Sequence, residues 1–143
     1  MRPSRIVLGE VPVAFHAVFA KSDSPALGLN QKIVFERVNL NLGNAYHNQH
    51  GLFIAPAPGL YMFSTSVVSH NNENVQSALM KNGVIIAGAF AVSTYGRYDQ
   101  GSVSVVTQLV AGDEIWVEER YDDHSVVHGN YQSSFMGILV LPL

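Results

Sequence analysis

The chain of 143 residues contains no cysteine. Disulfide staples, thiolate nucleophiles and cysteine-bound zinc are excluded with it, and cysteine usage reports nothing of the redox compartment. Charge is scarce as well. Asp, Glu, Lys and Arg make up 13% of the residues, about half of the ~25% usual in a soluble domain. The formal net charge is −3 and no basic cluster occurs, which argues against nucleic acid as a partner. No Asn has Ser or Thr two places on, so N-glycosylation is not expected. The longest apolar runs, such as Val84-Ile85-Ile86-Ala87, fall far short of a bilayer, and membrane insertion is not expected. Residues 1–10 hold only Ile6-Val7-Leu8 as an apolar patch, too short for a secretion signal, and read as an N-terminal tail. Helical periodicity, internal repeats and a Gly-x-y collagen repeat are missing too.

What is present is apolar: 48% of the residues are hydrophobic. At this length the chain reads as one domain, residues 11–143. So few charges cannot comfortably cover its surface, and part of that surface is expected to be buried between subunits. Strand signals dominate. Residues 11–19 open with an apolar strand, and residues 33–35 and 37–40 are short ones. Residues 60–68 alternate, with Tyr61, Phe63, Thr65 and Val67 on one face. Residues 75–80 run into Asn82-Gly83, the strongest short hairpin signal, and return over 84–90. Residues 102–110 alternate again, placing Val103, Val105, Thr107 and Leu109 together. Residues 114–120 and 134–141 follow. Many short strands separated by turns predict a β-sandwich or jelly roll.

Residues 42–64, LGNAYHNQHGLFIAPAPGLYMFS, carry more information than any other stretch. Tyr46 precedes the pair Gly51 and Phe53, then Pro56. Pro58-Gly59 forms a tight turn feeding the strand at Leu60. Two further blocks keep the same order, AGDEIWV at 111–117 and SFMGIL at 134–139. Together these blocks resemble the globular head domain of complement C1q, within the C1q/tumour-necrosis-factor-like superfamily, and its cerebellin-like branch above all. The resemblance spans about residues 13–141. It implies an all-β, ten-strand jelly-roll sandwich that assembles as a trimer, and a secreted protein whose signal peptide has been removed.

The last strand reads accordingly. Phe135, Gly137, Leu139 and Leu141 share one face, and Met136, Ile138 and Val140 the other. Both faces are apolar, whereas an outer strand of a sandwich should have one wet face. Met136, Ile138 and Val140 are therefore expected at the trimer interface.

Chemistry-bearing residues are few. His47 and His50, and His124 and His128, lie off any helix, so their spacing does not put two rings on one face, and no transition-metal site is expected. His16 falls within the first strand and reads as a satisfied structural histidine. No Gly-x-Ser-x-Gly occurs. Asp113 suits a turn. Glu118 and Glu119 are adjacent on a strand and point to opposite faces, so they cannot act as a carboxylate pair. The residues therefore predict a protein that is not an enzyme. The resemblance adds calcium as the cofactor to look for. Tyr98, Asp99 and Gln100, in the loop at residues 95–101, match the Asp-Gln loop at the trimer apex of calcium-binding relatives, where carboxylate and carbonyl oxygens suit a hard cation. Arg97 and the lack of a second acid nearby depart from that pattern. Between the last two strands, Tyr121, Asp123, His124 and Asn130 mix aromatic, acidic, imidazole and amide groups, the composition of a recognition loop. His124 would make binding there sensitive to pH.

The function that follows is recognition. The leading expectation is a secreted pattern-recognition protein of innate immunity that binds microbial glycans or cell-wall components, lectin-like. The alternative is a cytokine-like or synaptic-organiser ligand for one cell-surface receptor.

Overall fold

The computed structural model describes residues 12–120 and 124–143. Among them are ten strands and no helix: β1 (Ala14–Val18), β2 (Arg37–Leu42), β3 (Tyr46–His47), β4 (Leu52–Ile54), β5 (Gly59–His70), β6 (Asn74–Lys81), β7 (Val84–Val92), β8 (Tyr98–Leu109), β9 (Glu114–Glu119) and β10 (Ser134–Pro142). They form two five-stranded antiparallel sheets, ordered β2-β1-β10-β5-β8 and β3-β4-β9-β6-β7. This is the expected all-β sandwich. Where the sheets meet at one edge, Gly101 lets β8 lie close to β7. A Cβ there would sit 2.7 Å from the Phe90 carbonyl carbon, too near for any other residue.

The core is aromatic. Phe15 stacks on Tyr46 at 4.7 Å and meets Phe135 edge-on at 4.8 Å. Phe53 meets Phe63 edge-on at 4.9 Å. Tyr46 keeps its hydroxyl satisfied by donating to the Phe35 carbonyl at 2.8 Å, and burial pushes its phenol well above the ordinary tyrosine range. The two alternating strands behave as their period dictates: Tyr61, Phe63, Thr65 and Val67 are buried, and Val103, Val105, Thr107 and Leu109 face inward.

Three local expectations change, and two short strands are new. Residues 33–35 are not a strand, although Ile33 and Phe35 are buried. β4 covers only the first half of β9, and residues 30–33 bond to the second half, with Ile33 N–H donating to Val117 at 2.8 Å. β3 and β4 carry no alternation signal, being two and three residues long. The loop at 95–101 is half strand, because Tyr98, Asp99 and Gln100 begin β8 and pair with His70, Ser69 and Val68. In β10 a bulge between Leu139 and Leu141 turns the strand over, so Leu141 leaves the core face and is exposed.

The hairpin at Asn82-Gly83 forms as predicted, with φ of 51° and 88°. Its Asn82 amide donates to Asp113 Oδ1 at 3.0 Å, and Asn82 Oδ1 accepts from Glu114 N–H at 2.8 Å. Two turns are thereby clasped together. The Asn82 amide, followed by the Val110 N–H, holds the Asp113 carboxyl below the usual carboxylate range. A lowered folded value means that this contribution is present at neutral pH and is lost as pH falls below about 4. Asn82→Ala is expected to move the Asp113 titration midpoint upward, read by NMR of the carboxyl carbon. An unmoved midpoint would refute the clasp.

Glu118 and Glu119 serve the fold. Glu118 accepts from the Trp116 indole at 2.8 Å and pairs with Arg120 at 3.3 Å. Glu119 is buried and accepts backbone N–H groups of Gln76 and Arg120.

Candidate functional site

Two features stand out from the fold. The first is the outer face of the β2-β1-β10-β5-β8 sheet. Register places Leu42, Ala14, Ile138, Met62 and Val106 in one row across all five strands. The next row is Leu40, His16, Met136, Ser64 and Ser104. Ile138 is 39% exposed and Val106 62%. Val140, Leu141 and Leu143 extend the apolar area past the bulge and are exposed as well. Of the expected interface residues, Ile138 and Val140 are exposed and Met136 half-buried. Toward the other end the face becomes hydroxylated: Ser66 bonds Ser102 at 2.6 Å, and Ser104 bonds Ser64 at 3.0 Å. β1, β5 and β10 contain no Asp, Glu, Lys or Arg. A contiguous apolar face of this kind on a small domain marks an interaction site.

The second feature is a cluster at the end of the sandwich where β5 finishes and β8 begins. His70 stacks on Tyr98 with centroids 3.9 Å apart and planes within 11°. His128 lies edge-on to Tyr98 at 5.0 Å, and its Nδ1 meets Asp23 Oδ1 at 2.8 Å. Four separate segments meet here. Val68, Tyr98, Asp99, Gln100 and Gln132 line a hollow of about 490 Å³ on one side. Asp23, His70, Asn71, Glu73, Val126 and His128 line another of about 260 Å³. Asp99 is exposed, and its Oδ2 accepts the Val92 N–H at 2.7 Å. Glu73 accepts the Val126 N–H at 3.2 Å. Carboxylates, amides and an aromatic platform thus converge, and such a set binds polar ligands through oxygens and ring faces.

The remaining predicted contacts are dispersed. Tyr121 and Asp123 lie outside the described residues. Residues 124–130 run beside 21–27, tied by bridges at Leu27–Ser125 and Asp23–His128 and by the Asn130 N–H to Lys21. His124 is therefore at one end of this ribbon and Asn130 at the other, both exposed. His16 lies in β1, as read, with Asn39 as its partner, and is exposed on the outer face of the strand. His70 and Asp23 had no sequence signal, since each stands alone in its own segment and only the packing of loops brings them together.

A family profile for the C1q domain matches residues 14–140. The chain is 34% identical over 134 residues to complement C1q tumor necrosis factor-related protein 3 of Mus musculus, and 33% identical to the protein of that name from Homo sapiens. In both cases the match takes in 92% of this chain and 52% of the relative, so the chain spans about half the length of the curated relatives it matches. Among solved structures, the globular domain of zebrafish complement 1qA superposes with a TM-score of 0.76 at 17% identity, covering 92% of this chain and 99% of that one. The Eiger TNF of S. frugiperda superposes with a TM-score of 0.75 at 10% identity, covering 94% and 96%. These two likenesses bear on the fold alone.

Proposed function

The chain belongs to the C1q domain family, and on that premise we propose that it is a secreted, non-catalytic recognition protein that works as a homotrimer and binds carbohydrate of microbial surfaces. The observation that carries assembly is the charge-poor face of the β2-β1-β10-β5-β8 sheet, whose five-strand row of Leu42, Ala14, Ile138, Met62 and Val106 is left partly or wholly uncovered by the described residues of a single chain. Three copies satisfy it with closed symmetry. The cluster around Tyr98 supports carbohydrate as the ligand: a partly exposed ring for the apolar face of a sugar, with Asp99, Gln100 and Gln132 as hydroxyl partners at its rim. His124 and Asn130, with Tyr121 and Asp123, are the second set of candidate contacts. Calcium fits the same place. Asp99 supplies one carboxylate per chain, and three-fold symmetry would multiply it, with Gln100 and the Tyr98 carbonyl as further oxygen ligands.

Each site alone should bind between millimolar and micromolar, by order of magnitude. Presentation on one rigid trimer should add about 10²- to 10⁴-fold on a repeating surface. The experiment is binding to glycans, lipopolysaccharide and peptidoglycan with monovalent and multivalent probes, with calcium and with chelator. Tyr98→Ala is expected to lower glycan binding at least tenfold, and Asp99→Ala to remove any calcium dependence. Binding untouched by Tyr98→Ala but lost in a His124→Ala, Asn130→Ala double variant would move the site to the ribbon.

The curated relatives favour a second reading, a cytokine-like ligand for one receptor, because their names join C1q with tumor necrosis factor. A nanomolar complex with a single receptor, and no glycan signal, would decide for it.

A further inference from the structure

We infer that acid governs assembly through His16, an inference that rests on the homotrimer reading above. His16 stands in the middle of the face assigned to assembly. Its row holds Leu40, Met136, Ser64 and Ser104, and the adjoining row is wholly apolar. Among the described residues, no carboxylate on this sheet faces it. β1, β5 and β10 carry no Asp, Glu, Lys or Arg. Arg37 begins β2 opposite Val18, at the far end, where its guanidinium lies 6.0 Å from the Tyr131 ring centre. His70, Tyr98 and Asp99 sit at that same end of β5 and β8, and Tyr61 points into the core. Glu36, just before β2, is engaged with the Ala20 N–H.

The Asn39 amide lies 3.3 Å from His16 Nδ1, and by turning it can offer either its NH₂ or its oxygen, so this contact serves the ring in either protonation state. Covering this face in a trimer takes His16 out of water, and this chain's own sheet offers no carboxylate to a charged ring, so burial favours the neutral imidazole.

The sign of the effect follows. The separated chain leaves His16 exposed to water, whereas a trimer formed through this face would cover it. The trimer binds fewer protons, so assembly strengthens as pH rises and weakens as pH falls through the histidine range, about pH 5 to 7. Where all three rings must lose a proton to assemble, the apparent trimerisation constant changes by about a thousandfold per pH unit.

The test is molar mass by light scattering across a dilution series at pH 7.5 and pH 5.5, for the unmodified chain and for His16→Gln, which keeps a polar side chain that cannot charge. Tryptophan fluorescence checks that each remains folded. The apical histidines are present in both proteins, so the variant separates their effect from that of His16. The expected result is a trimer at pH 7.5 whose dilution midpoint rises at least tenfold at pH 5.5, with His16→Gln trimeric and unmoved at both. A trimer unmoved by acid would overturn this inference and leave assembly standing, as would equal acid dissociation of His16→Gln. A monomer at pH 7.5 would overturn the assembly reading and this inference with it.

Discussion

Ile138→Asp is expected to convert the proposed trimer into a folded monomer. In the single chain Ile138 is on the outer face of β10, between Ala14 and Met62, and is 39% exposed. A carboxylate there meets water, and β10 still pairs with β1 and β5 through its backbone, so folding should be little affected. In a trimer formed through this face the same carboxylate would be taken out of water, and β1, β5 and β10 hold no cation to pair with it. An unpaired buried charge costs several kcal/mol. Three copies bring the penalty to order 10 kcal/mol, and each 1.4 kcal/mol is a factor of about ten in the equilibrium. Light scattering should therefore report the mass of one chain at any practical concentration, with an unchanged β-sheet circular dichroism spectrum. A variant that keeps the trimer mass would remove this face from the assembly.

Phe135→Ala acts on the fold itself. Phe135 is fully buried, three residues from Ile138 on the opposite face of β10. It meets Phe15 edge-on at 4.8 Å and Tyr46 edge-on at 5.9 Å, and contacts Phe35 and Phe63. Truncation removes the ring and leaves a cavity among four other aromatic side chains that cannot all move in, because each is itself packed between the sheets. Such a change costs about 3–5 kcal/mol, a large part of the ~5–15 kcal/mol that stabilises a typical domain. The denaturant midpoint should fall sharply with an unchanged slope. A midpoint within error of the unmodified protein would show that the aromatic cluster contributes little. The neighbour Gly137 is bound by the same packing, since a Cβ there would meet Phe63 and Phe15 ring carbons at 2.6 and 2.7 Å.

The contrast between these two residues shows what was legible in the sequence. Period-two alternation alone puts Phe135 and Ile138 on opposite faces and makes both faces of β10 apolar. Alternation in β5 and β8 and the Asn82-Gly83 turn are equally legible, because each depends on residues adjacent in the chain. Where the pattern is interrupted, reading fails. The bulge at Val140 exposes Leu141, and nothing in the residue types there differs from an unbroken strand. β3 and β4 are too short to show a period. Residues 30–33 bond to β9 only because β4 ends early.

The site follows the same division. Tyr98, Asp99 and Gln100 are found through a resemblance to calcium-binding heads, but as part of a loop; pairing with β5 makes them strand residues. His16 reads as a satisfied structural histidine, but which face it takes is not legible, because in a strand the choice of face needs a register, and the β1–β10 pairing supplies it. Composition and local alternation determined that this chain is a charge-poor β-sandwich with more apolar surface than one copy can bury. Only the tertiary structure decided where that surface is, by aligning Leu42, Ala14, Ile138, Met62 and Val106 from five strands across one sheet. It also decided that Asp23, His70, Tyr98 and His128 meet at one end. The physical reason is range: alternation acts between neighbours in the chain, whereas rows across a sheet and meetings of loops join residues more than a hundred positions apart, as Ala14 with Ile138 and Asp23 with His128, whose side chains carry no local trace of their partners.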